Sequence, residues 1–163
     1  MAPSGGARSF AYSADARARF LVLGSMPGAE SLRQQEYYAF KHNAFWRIMG
    51  EVFSFSPALP YVERLTALRD AGVALWDILA ECERPGSLDS AIRAPRPNDI
   101  PGLVNKLPKL EKIICNGSAS RSYLRRVFPE LNAEQLPSTS PAAACWSYAE
   151  KLAAWKSALG VRP

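Results

Sequence analysis

A short apolar run, Phe20-Leu21-Val22-Leu23, is stopped by Gly24 and followed by a span rich in Gly, Pro, Gln, Tyr and Asn as far as Asn43. An unbroken apolar run of this length reads as a strand buried on both faces, the pattern of a parallel sheet covered by helices rather than of a half-exposed hairpin. From Phe45, apolar residues recur at Ile48, Met49, Val52 and Phe53, the spacing of one helical face, with Asn43 just before it where an N-cap belongs. Tyr61 to Asp70 reads as a second helix, and Ala71 to Asp77 as a turn running into a second strand. Lys112 to Gly117 is a third strand, with Ser118 or Ser120 capping a helix through Val127. Glu134 to Pro137 is a short fourth strand, followed by a last helix over 142–159 that Ser140 caps, with Pro141 at its first position. Strands alternating with helices predict an α/β fold: a three-layer αβα arrangement around a central, mainly parallel four-stranded sheet with right-handed crossovers.

Residues 1–15 read as a flexible N-terminal arm and 16–163 as a single domain, since 163 residues, 48% of them hydrophobic, suffice for one core. The stretch 81–101, with four prolines, reads as a long irregular connection with one turn of helix at most; such loops are usually functional or mobile. No apolar run approaches the roughly 18 residues that cross a bilayer, and the first residues lack a secretory apolar segment, so a soluble, cytoplasmic protein is expected. Cys82, Cys115 and Cys145 are far apart and form no C-x-x-C pair. With His42 as the lone histidine, this argues against a zinc or iron-sulfur site and for three reduced thiols packed as small apolar groups. The net charge of +5 suits a polyanionic partner, though by itself the signal is weak.

In open parallel sheets, ligands bind beyond the carboxyl ends of the strands. Here those ends read "GSMPG", "WD", "NG" and "PSTSP", and all four carry Gly, Pro or hydrogen-bonding side chains. They contain no G-x-G-x-x-G and no G-K-[ST], so a dinucleotide or P-loop nucleotide site lacks its fingerprint. Ser25 does not lie in G-x-S-x-G, and His42 has no nucleophile to serve, which argues against a serine hydrolase. What remains is a pocket of amide, hydroxyl and aromatic groups with at most one carboxylate, Asp77. That set suits a planar polar ring, with a face to stack on, amides for its edge and backbone N–H groups for phosphate.

Four segments carry a resemblance: "LGSMPG" at Leu23 to Gly28, "QQEYYAFKHNAFW" at Gln34 to Trp46, "GVALWDILAECERPGSLDSAI" at Gly72 to Ile92, and "LPSTSPA" at Leu136 to Ala142. In sequence and order they resemble the hypoxanthine-DNA glycosylase branch of the uracil-DNA glycosylase superfamily. The likeness implies a monofunctional DNA glycosylase of base excision repair. It would hydrolyse the N-glycosidic bond of a flipped deaminated base, hypoxanthine first and uracil possible, and leave an abasic site. Its implied partner is damaged double-stranded DNA, with no metal, no cofactor and no membrane, and nothing demands more than a monomer.

The resemblance also implies roles for particular residues. Mismatch-specific relatives carry a water-positioning Asn in the loop after the first strand, where this chain has Met26, whose thioether can neither orient nor deprotonate water. The implied replacement is Asn43, read from spacing alone as an N-cap; one side chain can serve both purposes. Tyr38 matches the aromatic on which the flipped base stacks, whereas Tyr37 reads as packing. Gly24, Ser25, Met26 and Asn116 are implied at the base, although Asn116-Gly117 also reads as a turn. Asp77 either orients water or caps a turn. Ser138, Thr139, Ser140 and Pro141 are implied to grip DNA phosphates, with Lys41 a further phosphate contact. Two departures stand out: Ala39-Phe40-Lys41-His42-Asn43 replaces the branch's "AHPRN", and the second motif lacks the His of uracil specialists. Two alternatives stay open: a non-catalytic binder of damaged DNA, and a small-molecule nucleobase or nucleotide binder.

Overall fold

The computed structural model describes residues 6–83 and 93–160. Its centre is β2 (Phe20–Gly24), flanked by β3 (Val73–Asp77) on one side and β6 (Lys112–Asn116) on the other, with β7 (Glu134–Leu136) beyond β6. All three pairings are parallel, with Gly24 opposite Asp77 and Asn116 opposite Leu136, so the strand ends come into line at one edge. Every residue of β2 is buried. Because side chains alternate across a strand, Phe20 and Val22 enter one core with α2 (Phe45–Phe53), α3 (Tyr61–Asp70) and α6 (Tyr148–Ala158). Leu21 and Leu23 enter the other with α4 (Ile100–Asn105) and α5 (Ser118–Val127). This is the expected three-layer fold. A hydrogen bond from Ser120 Oγ to the Leu23 carbonyl, at 2.7 Å, pins α5 to the central strand.

Several expectations need correction, among them the cap of α5, which is Gly117 rather than Ser118 or Ser120. Residues 6–15 are tied to the domain rather than loose. β1 (Gly6–Arg8) pairs antiparallel with β4 (Leu79–Glu83), Ser13 bridges Leu75, and the side chains of Tyr37 and Trp76 donate to the carbonyls of Ala11 and Phe10. Such anchoring by backbone hydrogen bonds leaves no apolar signature in the sequence. The stretch 81–101 is not wholly irregular either. β4 and β5 (Arg93–Pro97) are antiparallel partners in a second, three-stranded sheet ordered β1-β4-β5, and 84–92 lies outside the described residues. Pro95 and Pro97 are tolerated because β5 is the edge strand, where a missing N–H breaks no inner ladder.

The last helix starts at Tyr148, not at Ala142. Ser147 caps it in a reciprocal capping box with Glu150, and Ser140 Oγ instead accepts from Ala142 N at 3.2 Å within a turn. Helix α2 begins at Phe45 with Ala44, not Asn43, at the N-cap; the Asn43 oxygen still accepts from Phe45 N at 2.9 Å. Cys82 and Cys115 are buried as expected, but Cys145 is exposed in the turns before α6. Two short helices had no counterpart in the pattern, α1 (Ala29–Gln34) and α4. Among the described residues, no helix is long and apolar enough to cross a membrane.

Candidate active site

The four strand ends enclose a cavity of about 360 Å3, within the size range of small-ligand sites. Its floor is the end of β2. The Gly24 and Ser25 carbonyls accept from Ile78 N (2.9 Å) and Leu79 N (3.0 Å), so the chain leaving β3 clamps the loop that leaves β2. A side chain at Gly24 would displace its neighbour: a Cβ would run into Asp77 Oδ1, and Tyr38 Oη lies 3.6 Å from the same point, in ordinary contact. Ser25 and Met26 are buried in the same loop.

One wall comes from the span between α1 and α2. Tyr38 takes a left-handed backbone, φ 54°, which costs a non-Gly residue roughly 1–2 kcal/mol. Its ring stacks on Phe45 with centroids 4.0 Å apart, a contact worth about 0.5–1.5 kcal/mol, so packing offsets much of that strain. Tyr37 is held by its neighbours, with its ring edge-on to Phe10 and its carbonyl accepting from Trp46 Nε1 at 2.8 Å, as a packing residue should be. Burial and the Asp77 carboxylate, itself only 3% exposed, push both phenols well above the ordinary tyrosine range. Both therefore remain O–H donors. Phe40, 44% exposed, stands at the rim and was not singled out from sequence; its exposure is a tertiary fact. Ser31 of α1 also lines the cavity and accepts from Ala39 N at 3.0 Å, fixing the wall from behind.

The opposite wall is the Ser138–Pro141 loop. Thr139, 1% exposed, joins three elements. Asn116 Nδ2 donates to its Oγ1 (3.0 Å), its own N–H donates to Asn116 Oδ1 (2.9 Å), and its carbonyl accepts from Ala44 N (2.9 Å) beside Asn43. Gly117, at φ 95°, lets β6 turn away under this loop, and a Cβ there would come within 2.9 Å of Ser138 Cβ. Trp155 Nε1 donates to the Pro137 carbonyl (2.9 Å) and Lys151 Nζ to that of Ser140 (3.0 Å).

Gly24, Ser25, Met26, Tyr38, Asn43, Asn116 and Ser138 to Pro141 thus meet at one cavity, with Asp77 beside them. Lys41 is apart from it, exposed on a second cavity behind Asn43. Asn116 spends both ends of its amide on Thr139, which makes it the hinge pin of the loop as well as part of the wall. Among the described residues, no group of three or more His, Cys, Asp or Glu could hold a metal ion.

An αβα protein whose parallel sheet opens at its carboxyl edge into a phenol- and amide-lined cavity has the geometry of a small-ligand site at a switch of strand ends. The model of the uracil DNA glycosylase superfamily matches residues 10–159, and the chain belongs to that superfamily. A hypoxanthine DNA glycosylase of Methanosarcina acetivorans is 36% identical over 117 residues, 71% of this chain and 74% of that protein. Its namesake from Methanosarcina barkeri is 33% identical over 110 residues, 67% of this chain and 70% of that protein. A solution NMR structure of a candidate uracil DNA glycosylase from Methanosarcina acetivorans superposes with a TM-score of 0.82 at 31% identity, covering 94% of this chain and 96% of that one.

Proposed function

We propose that this protein is a monofunctional DNA glycosylase of base excision repair that takes hypoxanthine as its first substrate and uracil as a second. The observation that carries the reading is the convergence of the Gly24–Met26 loop, Tyr38, Asn43 and the Ser138–Pro141 loop on one cavity, in a chain similar to two hypoxanthine DNA glycosylases. A deaminated, mispaired base costs less to extrude from duplex DNA, so selection begins before chemistry. In the cavity the base stacks against Tyr38, with the Gly24–Met26 loop and Asn116 along its edge.

The reaction breaks the bond between C1′ and the base nitrogen, with the electron pair leaving on the base while water adds to C1′ and gives up a proton. Donors aimed at the base lower the cost of its negative charge, and a phenol that stays protonated is such a donor. Asn43 holds the water under C1′. Its own N–H donates to the Phe40 carbonyl (2.9 Å) and its Oδ1 accepts from Phe45 N, so the side chain is aimed before substrate arrives. One lone pair of that oxygen and the amide N–H groups remain for water. An amide has no useful basicity, so Asn43 acts by orientation and turnover is modest. Buried Met26 makes no polar contribution in the loop where relatives carry their Asn. Ser138 and Ser140 each accept one backbone N–H, which leaves their O–H groups to donate to DNA phosphates. The protein acts as a monomer on duplex DNA in the cytoplasm.

The test is base release from a labelled duplex carrying one deoxyinosine, beside a matched deoxyuridine duplex, with hot alkali to reveal abasic sites. Breaks at inosine are expected. Asn43→Ala is expected to lose base release by at least about a hundredfold, as removal of a positioning group does, while keeping duplex affinity. Equal activity in that variant removes Asn43 from the mechanism. Inosine-duplex binding without breaks, at enzyme excess, makes the protein a lesion binder instead.

A further inference from the structure

We propose that the second cavity, on the far side of Asn43 and Thr139, seats a backbone phosphate of the DNA strand that carries the extruded base; the proposal rests on the glycosylase reading. This cavity holds about 330 Å3 and is lined by Lys41, His42, Arg47, Tyr148 and Lys151, with no acidic side chain. Asn43 and Thr139 line both cavities, so only one layer of residues separates them. Phosphates recur about every 3.4 Å of axis along one DNA strand. A nucleotide with its base in the first cavity therefore has its flanking phosphates within reach of the second.

None of the residues that line this space is acidic, and a neighbouring carboxylate, that of Glu51 on α2, acts on the Tyr148 phenol and makes no ion pair with Arg47 or Lys151 among the described residues. Lys151 lies on α6 yet is only 5% exposed, and its Nζ donates to a neutral group, the Ser140 carbonyl. Among the described residues no carboxylate pairs with it. Burial accordingly pulls its pKa below the usual lysine value. An ammonium desolvated against one carbonyl is costly, and an incoming phosphate offsets that cost. The Arg47 guanidinium sits 3.7 Å over the ring of Tyr148, which holds its plane by a cation-π contact without neutralising it. The edge of its planar fork remains for phosphate oxygens. The nine-residue helix α2 starts one residue beyond Ala44, which also lines the cavity, so the positive end of its dipole adds to the same field. Lys41, on the exposed lip, is the only one of these cations that sequence reading had associated with DNA.

Methylphosphonate substitution supplies the test, because it removes one phosphate charge at a time. Duplexes with a single deoxyinosine and one methylphosphonate, placed in turn at each of the flanking positions on the same strand, are titrated against wild type, Arg47→Gln and Lys151→Met. Arg47 is exposed, so its variant reports on the site even if loss of buried Lys151 lowers stability. Wild type is expected to lose roughly tenfold in affinity at one or two positions, and Arg47→Gln to lose much less there. The slope of log Kd against log salt is expected to be shallower by about 1 in each variant. An unchanged methylphosphonate pattern and salt slope in Arg47→Gln would overturn the proposal. Base release is read on the same duplexes. Its absence in wild type counts against the glycosylase reading alone, since the methylphosphonate comparison depends only on binding.

Discussion

Gly24 and Asp77 face each other in register at the ends of adjoining strands, and the carboxylate occupies the space a side chain on Gly24 would need. Gly24→Ala is expected to destabilise the protein by about 1–3 kcal/mol, as overpacking at a closed site does, and to shift the Asp77 carboxylate out of place. Chemical denaturation measures the first effect and inosine-duplex affinity the second; wild-type values for both would mean the strand ends yield more than the geometry allows. At this scale the sequence was informative where residue type and strand-end position coincide, as for Gly24, Ser25 and Asn116. Asn43 was ambiguous between cap and water ligand, and its capping-type bond to Phe45 is compatible with both. Lys151 was invisible, because a lysine in a polar helix is read as solvated unless something packs over it.

At the scale of elements, the Ser138–Pro141 loop is irregular yet held from three sides, by Asn116, Lys151 and Trp155. Half-buried Asn116 and buried Thr139 exchange two hydrogen bonds, so their contributions should not add. In a double-mutant cycle of Asn116→Ala and Thr139→Val, a coupling of about 0.5–3 kcal/mol is expected in unfolding free energy. Each single variant should also weaken duplex binding, since the freed loop no longer presents Ser138 and Ser140 in one geometry. Strict additivity would mean that the bond from Asn116 Nδ2 to Thr139 Oγ1 adds nothing to the loop's order. The sequence placed the core strands and α2 because apolar periodicity reports burial directly. It misplaced the start of α6, where Ala142 to Ala144 favour helix by propensity while Ser147 and Glu150 fix the actual start by capping. The β4 and β5 pair escaped notice since prolines read as loop until an edge position is known.

For the whole molecule, buried phenols link stability to alkaline pH. Tyr37, Tyr38, Tyr61 and Tyr148 all have pKa values raised by burial, with Asp77 adding to the first three and Glu51 to Tyr148. A group whose folded pKa is raised contributes stability in full below its unfolded pKa, about 10 for tyrosine, and loses it as pH rises through the folded value. The Tyr37 and Tyr38 phenols, with the largest shifts, should therefore ionise only as near-ultraviolet circular dichroism is lost, above about pH 10. Ionisation of Tyr37 and Tyr38 near pH 10 with an intact spectrum would contradict their burial. The sequence by itself determined the alternation of strands and helices, the parallel sheet and the edge where a ligand sits, because local periodicity and strand-end chemistry are properties of adjacent residues. Only the tertiary structure decided that Asn43 and Thr139 form one wall between two cavities, that Asn116 is tied to the loop, and that Arg47 and Lys151 face the same space. Those relations join residues remote along the chain, and packing between layers brings them together.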